Sequence, residues 1–139
     1  MNVYNYKAPD VVIKRSMEEL NTDYIGYKII EKRLFDYFIT VKRNTHVEML
    51  DKEADIIWHN YILNTRSYRE FCSKYFNMFI EHEPYLNDNT LTQDEVLYTA
   101  KIIVDSVKDY RKRNYLNEMD EGHYLVDNDF FDKIRKEIK

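Results

Sequence analysis

Hydrophobic residues recur along most of this chain at the three- and four-residue spacing of an amphipathic helix. The clearest run opens at Thr92-Gln93-Asp94-Glu95, which has the form of a helix capping box, and continues to about Arg113. This spacing predicts one long helix with a single core-facing side. Its apolar positions are Val96, Ala100, Ile103, Val104, Val107 and Tyr110.

Four shorter periodic stretches precede this run, and each is bounded by residues that favour helix ends. Asn77 follows the last of them, at a position where helices favour a residue in the left-handed conformation. The stretches predict helices from Pro9-Asp10 to about Leu20, from an Asp23 cap to about Lys42, from Asp51 to Leu63, and from an Asn64 or Thr65 cap to Phe76.

The two ends of the chain are less regular. Residues 1–8 alternate apolar and polar side chains, which is typical of either a flexible arm or a short edge strand. An acidic connector at Asn114–Asn128 leads to a predicted last helix at Asp129–Ile138. Only two Gly and two Pro occur, which disfavours a turn-rich sheet protein. We therefore expect an all-α fold, with residues 1–139 forming a single compact bundle of five to six helices.

Composition narrows the class of protein. The single cysteine excludes an internal disulfide, so a cytoplasmic location is the simplest expectation. We find no cationic leader and no long apolar run, and so expect neither a signal peptide nor a membrane span. The many Lys, Asn, Ile and Tyr residues are typical of an AT-rich genome, which fits a low-GC bacterium, a phage or a large virus.

The net charge of −4 is distributed unevenly. Residues 81–95 and 117–132 contain Asp and Glu but neither Lys nor Arg. These segments are either solvated loops and helix starts or an acidic surface for a basic protein partner. Lys and Arg are mostly interleaved with acidic residues, so we expect no direct nucleic-acid binding. The residues of the candidate acidic surface are Asp120, Glu121, Asp127 and Asp129.

One short stretch holds a candidate site. Asp55 and His59 are four residues apart, which places them on one face of the predicted third helix. Cys72 lies on the next helix, which a short turn would fold back, and His82 follows the end of that helix. Together the four side chains offer the nitrogen, sulfur and oxygen ligands of a zinc-like site. The alternative is a structural polar cluster, in which Cys72 is a small buried hydrophobe.

The sequence does not decide whether the protein is an enzyme, and it favours a protein without catalytic activity. A cysteine nucleophile at Cys72 would need an oxyanion hole, and no glycine-rich segment is present to build one. There is also no phosphate-binding loop and no dinucleotide fingerprint. If a metal site were hydrolytic, Glu81 or Glu83 would be the available general base.

Residues 34–84 resemble the glycine-rich domain-containing protein-like family, a domain of unknown function. The resemblance rests on four segments: Phe35-Asp36-Tyr37-Phe38-Ile39, then Ala54-Asp55-Ile56-Ile57-Trp58-His59, then Ile62-Leu63-Asn64-Thr65-Arg66-Ser67-Tyr68-Arg69-Glu70-Phe71-Cys72, and Phe76-Asn77-Met78-Phe79-Ile80-Glu81-His82-Glu83-Pro84. This chain departs from the family pattern at Asn77, Glu81 and Tyr61, where the family carries Gly, His and, in some members, a second His.

The resemblance implies a helical fold and a recurring polar constellation, and it implies no activity. It increases the weight of the metal hypothesis for Asp55, His59, Cys72 and His82. The remaining positions of the pattern are expected to serve the fold, and they are Trp58, Thr65, Tyr68, Asn77 and Pro84.

Two functions follow as hypotheses. The first is a small cytoplasmic interaction module that contacts a protein partner through its acidic surface, for example a phage or mobile-element protein that inhibits a host system. The second is a zinc-like metal-binding protein, with or without hydrolytic activity, that uses the four candidate ligands. The aromatic helices also offer surfaces for a homo-oligomer.

Overall fold

The computed structural model of the protein describes residues 2–44, 47–82 and 92–114. Within these ranges the chain is helical and contains no strand, which confirms the predicted all-α fold. The predicted last helix and the acidic connector lie outside the described residues. The elements are a short 3-10 helix at Val3–Asn5 and the α-helices α1 (Asp10–Leu20), α2 (Tyr24–Arg43), α3 (Lys52–Leu63), α4 (Thr65–Phe76) and α5 (Gln93–Arg113).

Side-chain caps set the starts of three helices. Asp23 accepts a hydrogen bond from the Gly26 N–H and begins α2, and Asp51 accepts one from the Ala54 N–H and begins α3. At α5 both hydrogen bonds of the predicted capping box are present, between Thr92 and Glu95. Because these bonds involve residues close in sequence, the boundaries could be predicted to within one or two positions.

The start and the end of α4 differ in how well they were predicted. Asn64 occupies the N-terminal cap position but makes no side-chain cap hydrogen bond there, because its amide donates to the Asn60 carbonyl oxygen instead. The Thr65 hydroxyl similarly donates backwards, to the Ile62 carbonyl oxygen. The side-chain cap predicted for α4 is therefore wrong. At the other end, Asn77 adopts φ 54° and ψ 30°, as its left-handed prediction requires.

Helix α2 lies at the centre of the bundle and packs against α1, α3, α5 and the 3-10 helix. The core around it is dense in aromatic rings, with Phe71 5.7 Å from Phe35 and 5.8 Å from Phe38 between ring centroids. Burying one phenylalanine side chain stabilises a fold by roughly 1.5–3 kcal/mol. No helix of the described part is both long enough and apolar enough to span a bilayer.

The N-terminal segment docks on this core as a 3-10 helix. Val3 is fully buried, and its N–H donates to the Tyr110 hydroxyl at 2.9 Å. The Asn2 side chain accepts from the Tyr4 N–H and closes the turn. The edge strand left open by the sequence is absent from residues 2–8, because these backbone donors are bonded locally or to a helix side chain.

Two carboxylates are buried in the bundle. Glu31 accepts hydrogen bonds from the hydroxyls of Tyr27 and Tyr61 and from the Lys28 ammonium. Asp36 is also fully buried, and it accepts a hydrogen bond from the Tyr4 hydroxyl through Oδ1. Its Oδ2 has no hydrogen-bond partner among the described residues. Burial raises the pKa of Asp36 to about 8. The sequence did not indicate either cluster.

Candidate metal centre

Helix α3 supplies two of the candidate ligands. Asp55 and His59 lie one turn apart, and their side chains are 32% and 58% exposed. The opposite face of α3 is apolar and packs into the core through Ala54, Ile57 and Trp58. The helix therefore holds the carboxylate and the imidazole side by side on its outer surface.

His82 reaches the same place from the segment that follows α4. Its Nε2 lies 2.7 Å from Asp55 Oδ1 and 3.1 Å from His59 Nε2. The other oxygen of the same carboxylate, Asp55 Oδ2, lies 3.4 Å from His59 Nε2. The structure thus brings together three of the four residues that the sequence singled out, and we name Asp55, His59 and His82 the Asp–His cluster.

Cys72 is not part of the Asp–His cluster. Within the described residues, the group with ligand atoms all inside 4.8 Å of one another consists of Asp55, His59 and His82 alone. Cys72 is buried, and its thiol contacts the Tyr68 hydroxyl and the Ile80 backbone. The structure therefore brings three of the four candidate ligands together and places Cys72 apart from them.

Cys72 lies apart from the other three candidates because of the orientation of α4. Cys72 shares the buried face of α4 with Tyr68 and Phe76, at the four-residue spacing of a core stripe. Burial raises the pKa of the Cys72 thiol, which disfavours the thiolate that binds metals. The environment of Cys72 is that of a structural cysteine.

The positions expected to serve the fold have varied surroundings. Trp58 and Tyr68 are buried and hydrogen-bonded to each other, with Trp58 Nε1 donating to the Tyr68 hydroxyl at 2.9 Å. Thr65 is exposed at the start of α4, and Asn77 ends that helix. Pro84 lies outside the described residues, as do the four residues of the candidate acidic surface, Asp120, Glu121, Asp127 and Asp129.

Hydrogen bonds account for only part of the contacts within the Asp–His cluster. An ionised Asp55 only accepts hydrogen bonds, so a histidine nitrogen facing it must carry a proton. If His59 and His82 both carry that proton on Nε2, the two N–H groups oppose each other at 3.1 Å. If one of them does not, that nitrogen presents a lone pair and makes no hydrogen bond to the carboxylate. At most two of the three contacts are therefore hydrogen bonds in any one protonation state.

The spacing can be compared with that of a metal site. Zinc binds histidine nitrogen and carboxylate oxygen at about 2.0–2.2 Å, so the ligand atoms of a tetrahedral site lie about 3.3 Å apart. Two of the separations in the Asp–His cluster, 3.1 and 3.4 Å, are close to that value, and the third, 2.7 Å, is shorter. Two imidazoles and one carboxylate are also a ligand set that transition metals favour.

A sequence model of the family described as UCP032817-like matches residues 3–99, well over half of the chain. The chain belongs to the UCP032817-like family. The matched region includes all three residues of the Asp–His cluster and ends inside α5. The UCP032817-like family is uncharacterised, so membership brings no activity with it. No curated protein and no solved structure matches the chain.

Membership in the UCP032817-like family overturns the resemblance drawn from the sequence. The chain is not a glycine-rich domain-containing protein-like sequence, and the motif pattern at residues 34–84 was wrong as a family signature. The aromatic positions that carried it, such as Trp58, Tyr68 and Phe71, are buried core residues. Helical bundles of different families bury aromatic residues at the same spacings, so such a pattern indicates packing better than it indicates kinship.

Proposed function

We propose that this protein binds a divalent transition metal ion, zinc in the first instance, through Asp55, His59 and His82. The observation that supports the proposal is the convergence of the Asp55 carboxylate with the Nε2 atoms of His59 and His82, at separations of 2.7, 3.1 and 3.4 Å. Two imidazoles and a carboxylate that converge at a surface open to solvent form a ligand set that one transition metal ion could bridge.

The ligand count indicates what kind of site this would be. Structural zinc sites have four protein ligands, whereas catalytic sites have three and leave a position open for water or substrate. Without Cys72 the proposed site belongs to the second kind. When bound, a metal in such a site lowers the pKa of a coordinated water. The exposed Glu81 immediately precedes His82, and it is the general base that a hydrolytic reaction would use.

Metal analysis of purified, untagged protein tests the proposal. We expect about one equivalent of zinc or iron in the wild-type protein, removed by a chelator and restored by back-titration. His59→Ala should lower the affinity at least about 100-fold, because one of three ligands is lost. His59 is 58% exposed, so the change leaves the core intact.

Cys72→Ala is the matched control for this experiment. It removes the fourth residue that the sequence singled out, and we expect it to keep the metal affinity of the wild type. Equal metal content in wild type and His59→Ala would contradict the proposed site, as would a wild-type protein that binds no transition metal at any ratio. Loss of metal in Cys72→Ala, with the fold retained, would restore the four-ligand hypothesis.

The interaction-module hypothesis stays a prediction. Its four acidic residues lie outside the described part of the chain, so the contacts and charges reported above do not bear on it. The cytoplasmic location, the protein partner, the absence of direct nucleic-acid binding, the homo-oligomer and the phage or mobile-element origin likewise stay predictions.

A further inference from the structure

We infer that Tyr68 is the positioning residue of the proposed metal centre, and that its hydroxyl group couples the centre to the buried core. This inference rests on the proposed function. It concerns how strongly the site binds metal rather than which atoms touch the ion, because Tyr68 itself is not a ligand.

The three ligands differ in what holds them in place. Asp55 and His59 are fixed relative to each other by the backbone of α3. His82 has no such support, since it lies beyond the end of α4 in a segment without helical hydrogen bonds. Its position must therefore come from tertiary contacts.

Besides its contacts with Asp55 and His59, His82 is constrained by two interactions with the core. The edge of the Trp58 ring packs against its imidazole, with 4.3 Å between ring centroids. The second contact acts through the backbone, because Ile80 is buried two residues before His82. The Ile80 carbonyl oxygen accepts a hydrogen bond from the Tyr68 hydroxyl.

The Tyr68 hydroxyl also stabilises the contact between Trp58 and His82. Trp58 Nε1 donates to the Tyr68 oxygen at 2.9 Å, which fixes the indole ring that packs on His82. Burial raises the pKa of Tyr68 far above its ordinary value, so the hydroxyl stays protonated and continues to donate to Ile80. One oxygen atom thus orders both the ring and the backbone that place His82.

Tyr68→Phe removes this oxygen and little else. Partners that orient metal ligands typically change metal affinity 10–100-fold when they are lost. We expect Tyr68→Phe to weaken the binding of Co²⁺ and Zn²⁺ about 10–100-fold, and to change the ligand-field absorption of bound Co²⁺. Tyr27→Phe is the control, because it removes an equally buried hydroxyl that donates to Glu31 rather than to the site. Its metal affinity should equal that of the wild type.

A measurement on the wild-type protein covers the case in which Tyr68→Phe does not fold. Trp58 is the only tryptophan, so its indole N–H gives one resolved signal in an NMR spectrum. Because coupling free energies are reciprocal, saturating Zn²⁺ should slow hydrogen exchange of this proton about 10–100-fold.

The experiments distinguish failure of the proposed metal site from failure of the proposed role of Tyr68. A wild-type protein that binds no metal overturns the proposed function and this inference with it. Metal binding of equal strength in wild type and Tyr68→Phe overturns the inference alone, and so does an indole exchange rate that saturating Zn²⁺ leaves unchanged. Weakened binding in both Tyr68→Phe and Tyr27→Phe would also overturn it, since the effect would then follow general stability.

Discussion

Two groups of polar side chains each surround one carboxylate: the Glu31 cluster, formed by Glu31, Tyr27, Lys28 and Tyr61, and the Asp–His cluster. They differ in whether each contact pairs a hydrogen-bond donor with an acceptor. At Glu31, every contact pairs a donor with the acceptor, since two tyrosine hydroxyls and a lysine ammonium face the carboxylate oxygens. Glu31 is 1% exposed, whereas Asp55 is 32% exposed and at most two of the three contacts in its cluster are hydrogen bonds.

We interpret the Glu31 cluster as one that stabilises the fold and the Asp–His cluster as one that can bind a metal ion. Burial raises the pKa of Tyr27 and of Tyr61, so both hydroxyls remain protonated and keep donating to Glu31. Nothing is left for a ligand to satisfy there, and the site is closed to solvent. At Asp55, three ligand groups converge where solvent, and so a metal ion, has access. Replacing each carboxylate by its isosteric amide tests the comparison directly.

Glu31→Gln should have the largest effect on stability. The amide nitrogen of the variant brings a donor to a place where the hydroxyls of Tyr27 and Tyr61 and the ammonium of Lys28 already donate. Losing a buried acceptor of this kind costs about 2–4 kcal/mol. We expect urea denaturation at pH 7 to show that loss, while metal affinity stays unchanged. A loss below about 1 kcal/mol would show that Glu31 does not serve the fold in the way its contacts indicate.

Asp36→Asn should change how stability depends on pH. Burial raises the pKa of Asp36 from an ordinary value near 3.8 to about 8, so between these values the folded protein holds a proton that the unfolded chain has released. The Asp36 contribution to stability therefore falls as pH rises through this window, by at most about 1.4 kcal/mol per pH unit. The neighbouring charges act against this shift, since Arg111, Lys32 and Arg33 all favour the ionised carboxylate.

Urea denaturation of the wild type and Asp36→Asn at pH 5, 6 and 7, with chelator present, measures this contribution. The variant cannot titrate, so its stability relative to the wild type should improve as pH rises. Contributions common to both proteins cancel in the difference. Parallel pH profiles would show that Asp36 carries the same charge in the folded and unfolded chains, as would be the case if it formed an ion pair with Arg111.

Features that depend on residues close in sequence could be predicted, whereas features that depend on residues far apart in sequence could not. The Asp23 and Thr92 caps are local, and so the helix starts were predicted correctly. The pairing of Asp55 with His59 is local too, since a helix fixes it. The position of Cys72 relative to the other three candidates depends on how α4 is rotated against its neighbours, which residue spacing along the chain does not determine. The approach of His82 to Asp55 could be named as a hypothesis, but its angstrom-scale geometry depends on the contact between Tyr68 and Ile80.

Asp55→Asn should have the smallest effect on the metal-free fold and the most selective effect on binding. A contact between partly exposed groups contributes about 0–1 kcal/mol, so the free energy of unfolding should change by less than about 1 kcal/mol. An amide oxygen is a much weaker ligand than a carboxylate for a transition metal, so Zn²⁺ affinity should fall at least about 10-fold. Glu31→Gln and Asp55→Asn then give opposite pairs of results, because one amide weakens the fold and the other weakens the metal site. If Asp55→Asn lowered stability as much as Glu31→Gln and left metal content unchanged, the Asp–His cluster would be a second structural cluster.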